Sequence, residues 1–135
     1  MELIDIFKAL GDENRLRIFN LLSRQKLCVC ELEVLLQIKQ SNLSRHLNKL
    51  KTEKIIISEK VSQWVYYSID ERFMNEKRAF YDWVLLEIKG QNKHSEDVKR
   101  LNRYKANNFN CNEIKNNLDK VLQKLGKDRD FEMLF

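Results

Sequence analysis

Three cysteines carry the most distinctive chemistry in the chain: Cys28 and Cys30 in KLCVCELEVLLQI, and Cys111 in NNFNCNEI. A cysteine thiolate is both a nucleophile and a ligand for soft ions. Cys28 and Cys30 fall where a helix is expected to start. Residues two apart on an ideal helix point about 200° from one another, so two such thiols cannot share a ligand there. Either they are unrelated core residues, or they form a site that works only if the helix start gives way to an extended segment, where residues two apart align. A helix N-terminus also lowers a thiol's pKa, which suits a ligating role.

An odd number of cysteines argues against a disulfide framework. The opening MELIDIFKALGDENR has an early acid and no basic-then-apolar signal pattern. No apolar run approaches the ~18 residues of a membrane span. The expectation is a cytoplasmic protein with reduced thiols and no membrane partner. The 135 residues suffice for one hydrophobic core, not for two independent ones. With 25 basic against 20 acidic residues the net charge is +5, compatible with a nucleic-acid partner. Abundant Lys and Asn with no Pro suggest an AT-rich coding bias, which lowers the weight of any single Lys.

The elements that must position these groups follow from periodicity. Leu3, Ile6, Phe7 and Leu10 mark a short helix ended by Gly11. Asp12 suits the N-cap of a second helix, whose stripe is Leu16, Ile18, Phe19, Leu21 and Leu22, with Arg15 and Arg17 outside it. A third helix covers Cys30 to Leu36. A fourth, SNLSRHLNKLKTEK, buries Leu43, Leu47 and Leu50. IIISEK and WVYYSID then read as a hairpin joined by KVSQ. Helical patterning returns from Glu71 to Lys89 and is apolar over more than one face, which a single small core does not require. Beyond Gly90 the chain is highly charged, with one helix from Ser95 to Lys105 and another carrying Ile114, Leu118, Val121, Leu122 and Leu125.

This order is mainly α with a small β-hairpin: a winged helix-turn-helix (α-α-α-α-β-β-α) over residues 1–90, followed by a charged helical C-terminal extension over 91–135. In that fold the fourth helix shows its polar face to the major groove of double-stranded DNA. Ser44 and Arg45 can reach base edges from it. Gln40, Ser41 and Asn42 sit at its N-terminus, where backbone N–H groups favour a phosphate. Lys49 suits a phosphate contact. His46 reads equally as a phosphate contact and as a structural histidine. Lys60 and Gln63, at the hairpin turn, would touch the DNA backbone or minor groove.

The stretch LCVCELEVLLQIKQSNLSRHLNKLKTEKIIISEKVSQWVYYSI resembles the core of the ArsR/SmtB family of bacterial metal-responsive repressors. The matches are LCVC-acid-L at Leu27 to Leu32, S-R-H-L at Ser44 to Leu47 and W-V-Y-Y at Trp64 to Tyr67. FKALGDENRLRIFNLL matches the family's opening helices. The resemblance covers residues 3 to 90. It implies a homodimer paired through the first and fifth helices that leaves its operator DNA when a metal or metalloid binds. Such pairing would account for the wide apolar surface of the Glu71 to Lys89 helix. Cys28 and Cys30 match the first two ligands of the arsenite-sensing motif. Where many arsenic sensors have a third cysteine, this chain has Glu33. The histidines that zinc, cobalt and nickel sensors carry on the fifth helix are absent from DERFMNEKRAFYDWVLLEIKG.

The expected inducer is arsenite or antimonite, soft ions that favour three thiolates, and no organic cofactor is expected. Cys111 either completes the site by folding back, from the same or the partner subunit, or is a free cysteine; spacing leaves both open. Binding at Cys28 and Cys30 would distort the start of the third helix and so disturb the fourth. Four alternatives remain: a purely helical interaction module, against which the hairpin counts, a CxC that senses oxidants, a purely structural CxC, and a thiol-dependent reductase. The last has little support, because there is no CxxC, no phosphate loop and no βαβ pattern.

Overall fold

The computed structural model describes residues 2–126. Helix α1 (Leu3–Leu10) buries Ile6, Ala9 and Leu10. Leu3 and Phe7, expected in the same stripe, are instead largely exposed. The chain turns at Gly11, where a Cβ would lie 2.9 Å from the Phe7 carbonyl oxygen. Asp12 caps α2 (Glu13–Leu22) by accepting from the Asn14 and Arg15 backbone N–H groups at 2.9 and 3.1 Å, as its residue type predicts.

A two-residue strand β1 (Leu27–Cys28) follows and leads directly into α3 (Val29–Leu36) and then α4 (Gln40–Thr52). Leu43, Leu47 and Leu50 of α4 are fully buried, as their i, i+4, i+7 spacing requires. Strands β2 (Ile56–Val61) and β3 (Trp64–Ile69) form the hairpin, registered from Ile56 opposite Ile69 to Val61 opposite Trp64. The left-handed Ser62 (φ 59°) permits its two-residue turn. Strand β1 pairs with β3, Leu27 opposite Tyr67 and Cys28 opposite Tyr66, giving a three-stranded antiparallel sheet in the order β1-β3-β2.

The helix expected over Glu71 to Lys89 is two, α5 (Glu71–Glu76) and α6 (Arg78–Ile88), because Lys77 leaves helical geometry at φ −117°, ψ 36°. The C-terminal segment forms α7 (Asn92–Ala106), α8 (Cys111–Asn116) and α9 (Leu118–Leu125). Asn117, at φ −137° and ψ 47°, splits the last expected helix. The architecture is the expected winged helix-turn-helix with appended helices. Leu101, Tyr104, Ile114, Val121, Leu122 and Leu125 join the same apolar core as α1 to α6.

One polar knot locks the added helices to that core. Asp97 of α7, 0% exposed, receives Arg17 Nε at 2.8 Å and Arg100 Nη2 at 3.0 Å. Arg17, expected outside the α2 stripe, is only 4% exposed and also donates to the Leu36 carbonyl at 2.6 Å. Arg100 donates to the Leu35 carbonyl at 2.7 Å. The two arginines therefore satisfy carbonyls at the end of α3 that have no partner within the helix.

Candidate functional site

Three elements bring the three thiols together. Cys28 ends β1 and is the N-cap of α3, with an extended backbone (φ −88°, ψ 170°). Cys30 lies in the first turn of α3, and Cys111 opens α8. The Cys28 Sγ is 2.9 Å from that of Cys30 and 2.7 Å from that of Cys111, in hydrogen-bonding contact. All three sulfurs lie within 4.8 Å of one another, and all are free thiols. The expected conflict between two thiols on one helix does not arise. Cys28 sits one residue outside the helix, where extended backbone aligns it with Cys30 while α3 stays intact.

A buried carboxylate frames the cluster. Glu31, 6% exposed, accepts from the Cys28 backbone N–H at 3.0 Å through Oε1 and from the Tyr104 hydroxyl through Oε2. The Tyr66 hydroxyl of β3 lies 3.6 Å from the Cys111 Sγ. The expected lowering of thiol pKa at a helix N-terminus is reversed. The hydrogen bond with Cys30, then burial, holds the Cys28 thiol far above its ordinary value. Burial, then the hydrogen bond with Cys28, pushes the Cys111 thiol up to about 12. The helix-terminal partial charge is outweighed by desolvation and by neighbouring thiols that compete for the same protons.

A pH dependence follows. Unfolded thiols ionise near the ordinary value of 9.0, whereas folded Cys111 keeps its proton up to about 12. The folded state therefore binds more protons in that window, and stability is full below it and falls as pH rises through it. The urea midpoint is expected to drop as pH rises from about 9 toward about 12, and to drop less in Cys28→Ser/Cys111→Ser. An equal drop in both proteins would refute this origin.

The candidate DNA face lies beside the thiols. Gln40, Ser41, Asn42, Arg45 and Lys49 are exposed on α4, Ser44 is half-buried, and Lys60 and Gln63 are exposed on the hairpin. Arg45 Nη2 donates to the Asn42 Oδ1 at 2.9 Å. His46 is different. It is 7% exposed, with its Nδ1 3.2 Å from Arg15 Nη1 and 3.9 Å from the Asp12 carboxylate. It joins α4 to α2, so the phosphate-contact reading gives way to the structural one. A cleft of about 240 Å³ lined by Cys28, Cys30, Glu33, Gln40, Gln63 and Trp64 connects the thiols to the start of α4 and to the hairpin.

A third surface is apolar. Leu3, Ile4 and Phe7 of α1 and Trp83 and Leu86 of α6 are exposed. Phe80 links the two sets, its ring 5.4 Å from that of Phe7 and 6.4 Å from that of Trp83. Among the described residues no helix is long and apolar enough to cross a membrane.

Comparison with known proteins places this arrangement. The family described as "Bacterial regulatory protein, arsR family" matches residues 12–58. The transcriptional repressor SmtB homolog of Synechocystis sp. is 35% identical over 82 residues, 60% of this chain and 62% of that protein. The arsenical resistance operon repressor of Bacillus subtilis is 40% identical over 70 residues, 51% of this chain and 67% of that protein. Reduced HlyU from Vibrio cholerae N16961 superposes with a TM-score of 0.56 at 31% identity, over 65% of this chain and 88% of that one. The chain belongs to the arsR family.

The match to the SmtB homolog spans about three-fifths of that relative's length. These arsR-family relatives are named as regulators and not as enzymes, which leaves the reductase alternative without a counterpart. Sequence reading missed Glu31, Tyr66 and Tyr104 around the thiols. Of these only Glu31 left a signal, as an acid three residues after the N-cap Cys28, the spacing of a capping box.

Proposed function

We propose that the chain is a DNA-binding transcriptional repressor, dimeric through α1 and α6, that leaves its operator when arsenite or antimonite joins Cys28, Cys30 and Cys111. The observation that carries this reading is the convergence of three sulfurs from β1, α3 and α8 in one cluster. The name of the Bacillus subtilis relative, an arsenical resistance operon repressor, supports it. Gln40, Ser41, Asn42, Ser44 and Arg45 are assigned to DNA from the α4 face, with Lys49, Lys60 and Gln63 on its phosphates. Residues 1–90 would supply DNA binding and dimerisation, and the helices beyond them the third thiol.

The chemistry suits a trivalent metalloid. Arsenous acid, As(OH)3, exchanges its three hydroxides for three thiols, and each leaves as water with one thiol proton. The product is neutral, so no net charge is added beside the buried Glu31 carboxylate. A divalent cation held by three thiolates would leave one negative charge there, in a poorly solvated place. Peroxide attack needs a thiolate, and the raised pKa values of Cys28 and Cys111 disfavour it at those two sulfurs.

Release needs no unwinding of α3. Cys28 is paired with Tyr66 of the hairpin strand β3, and the Tyr66 hydroxyl touches Cys111. Any rearrangement of the sulfurs is thus transmitted to the hairpin, and across the shared cleft to Gln40. By linkage, bound DNA weakens metalloid binding by the same factor.

The test is a gel shift on a duplex that the protein itself has selected from random DNA, titrated with arsenite, antimonite, cadmium and zinc. Wild type is expected to release DNA with arsenite and antimonite. Cys28→Ser/Cys30→Ser and Cys111→Ser should bind DNA normally and fail to respond. Release of the double variant by arsenite would sink the reading.

A further inference from the structure

The proposed metalloid site leaves unexplained why α7 grips α3 at both ends. Asp97, Arg100 and Tyr104 follow one another at i, i+3 and i+7, so they share one face of α7. At the C-terminal end of α3, Arg100 holds the Leu35 carbonyl, and Asp97 holds Arg17 against the Leu36 carbonyl. At the N-terminal end, the Tyr104 hydroxyl donates to Glu31, whose other oxygen fixes the Cys28 backbone N–H. Tyr104 also leads toward the third thiol. Its carbonyl accepts the Phe109 N–H at 3.3 Å, its ring centroid is 6.0 Å from that of Phe109, and Cys111 follows shortly after. One side chain is therefore tied to the backbone of the first thiol and to the segment that delivers the third.

We propose that Tyr104 is a positioning residue for the metalloid site, holding Cys28 and Cys111 in register through its hydroxyl bond to Glu31. The inference rests on the metalloid reading and adds a requirement to it: the C-terminal helices set the geometry of the site as well as supplying Cys111. If Tyr104 merely satisfied a buried carboxylate, losing its hydroxyl would lower stability and leave the affinity of the folded protein for arsenite unchanged. If it positions the thiols, the affinity falls while DNA binding without arsenite, made by the exposed face of α4, is kept.

The experiment is arsenite titration, followed by thiolate–arsenic absorbance, of full-length wild type, Tyr104→Phe and Glu31→Gln, each confirmed folded by its melting curve. The dissociation constant is expected to rise at least fivefold in Tyr104→Phe, with DNA affinity in the absence of arsenite within twofold of wild type. Glu31→Gln reads the same link should Tyr104→Phe not fold, and is expected to weaken arsenite binding likewise. Wild-type arsenite affinity in a folded variant overturns the positioning role and leaves the functional reading standing. Failure of wild type to bind arsenite at all overturns the functional reading instead.

Discussion

Replacing Asp97 with alanine is expected to destabilise the fold by about 3–5 kcal/mol, the range for removing one partner from a buried ion pair. Asp97 is 0% exposed, and its two partners, Arg17 and Arg100, are each 4% exposed. Both guanidiniums would remain buried, each with a helix-end carbonyl as acceptor and no countercharge from Asp97. Water cannot easily take the place of the carboxylate, because the Leu35 and Leu36 carbonyls the arginines hold lie at the end of a helix packed between α2, α4 and α7. The surface pair Lys99–Glu96, 4.0 Å apart on largely exposed side chains, is the control, and Lys99→Ala should change stability by less than about 0.5 kcal/mol. Urea unfolding of the two variants measures the contrast. A loss below about 1 kcal/mol for Asp97→Ala would mean that the knot contributes little and that α7 is held by its apolar contacts.

A second large effect is expected from charge on the apolar face. Trp83 and Leu86 are 53% and 68% exposed in the single chain, so Trp83→Glu and Leu86→Glu remove little intramolecular packing. In a dimer paired through α1 and α6 each would place a carboxylate in an apolar contact with no partner. Because helix-turn-helix dimers read two half-sites, a monomer keeps only one set of contacts, and DNA affinity should fall on the order of 100-fold. Sedimentation should show folded monomers, whose melting temperature falls by the loss of the stabilisation that dimerisation gives the wild type. A dimer that persists in both variants would move the interface elsewhere.

Much of this was legible in the sequence, and the exceptions share a cause. The α4 stripe, the Asp12 cap and the hairpin are written in local spacing, and local spacing is what sequence reading sees. Strand β1 escaped because it has only two residues and exists through pairing with Tyr66 and Tyr67, far along the chain. Arg17 read as a solvated residue because its countercharge, Asp97, is 80 positions away. Cys111, left open between ligand and bystander, is 83 positions from the sulfur it touches. The breaks at Lys77 and Asn117 have no Pro or Gly to announce them. The apparent misfit of Cys28 and Cys30 came from applying ideal helix spacing to a pair at the helix start; with Cys28 as the extended N-cap of α3 it disappears. That placement also changes the expected response, from unwinding of α3 to displacement of the hairpin that Cys28 is paired with.

The central claim is that one trivalent ion is held by all three thiols of a chain. Arsenic K-edge absorption on the wild-type protein, loaded with one equivalent of arsenite, counts the ligands directly. The account predicts three sulfurs and no oxygen around arsenic, changing to two sulfurs and one oxygen in Cys111→Ser. Two sulfurs and one oxygen already in the wild type would contradict it, and would leave Cys111 a buried bystander.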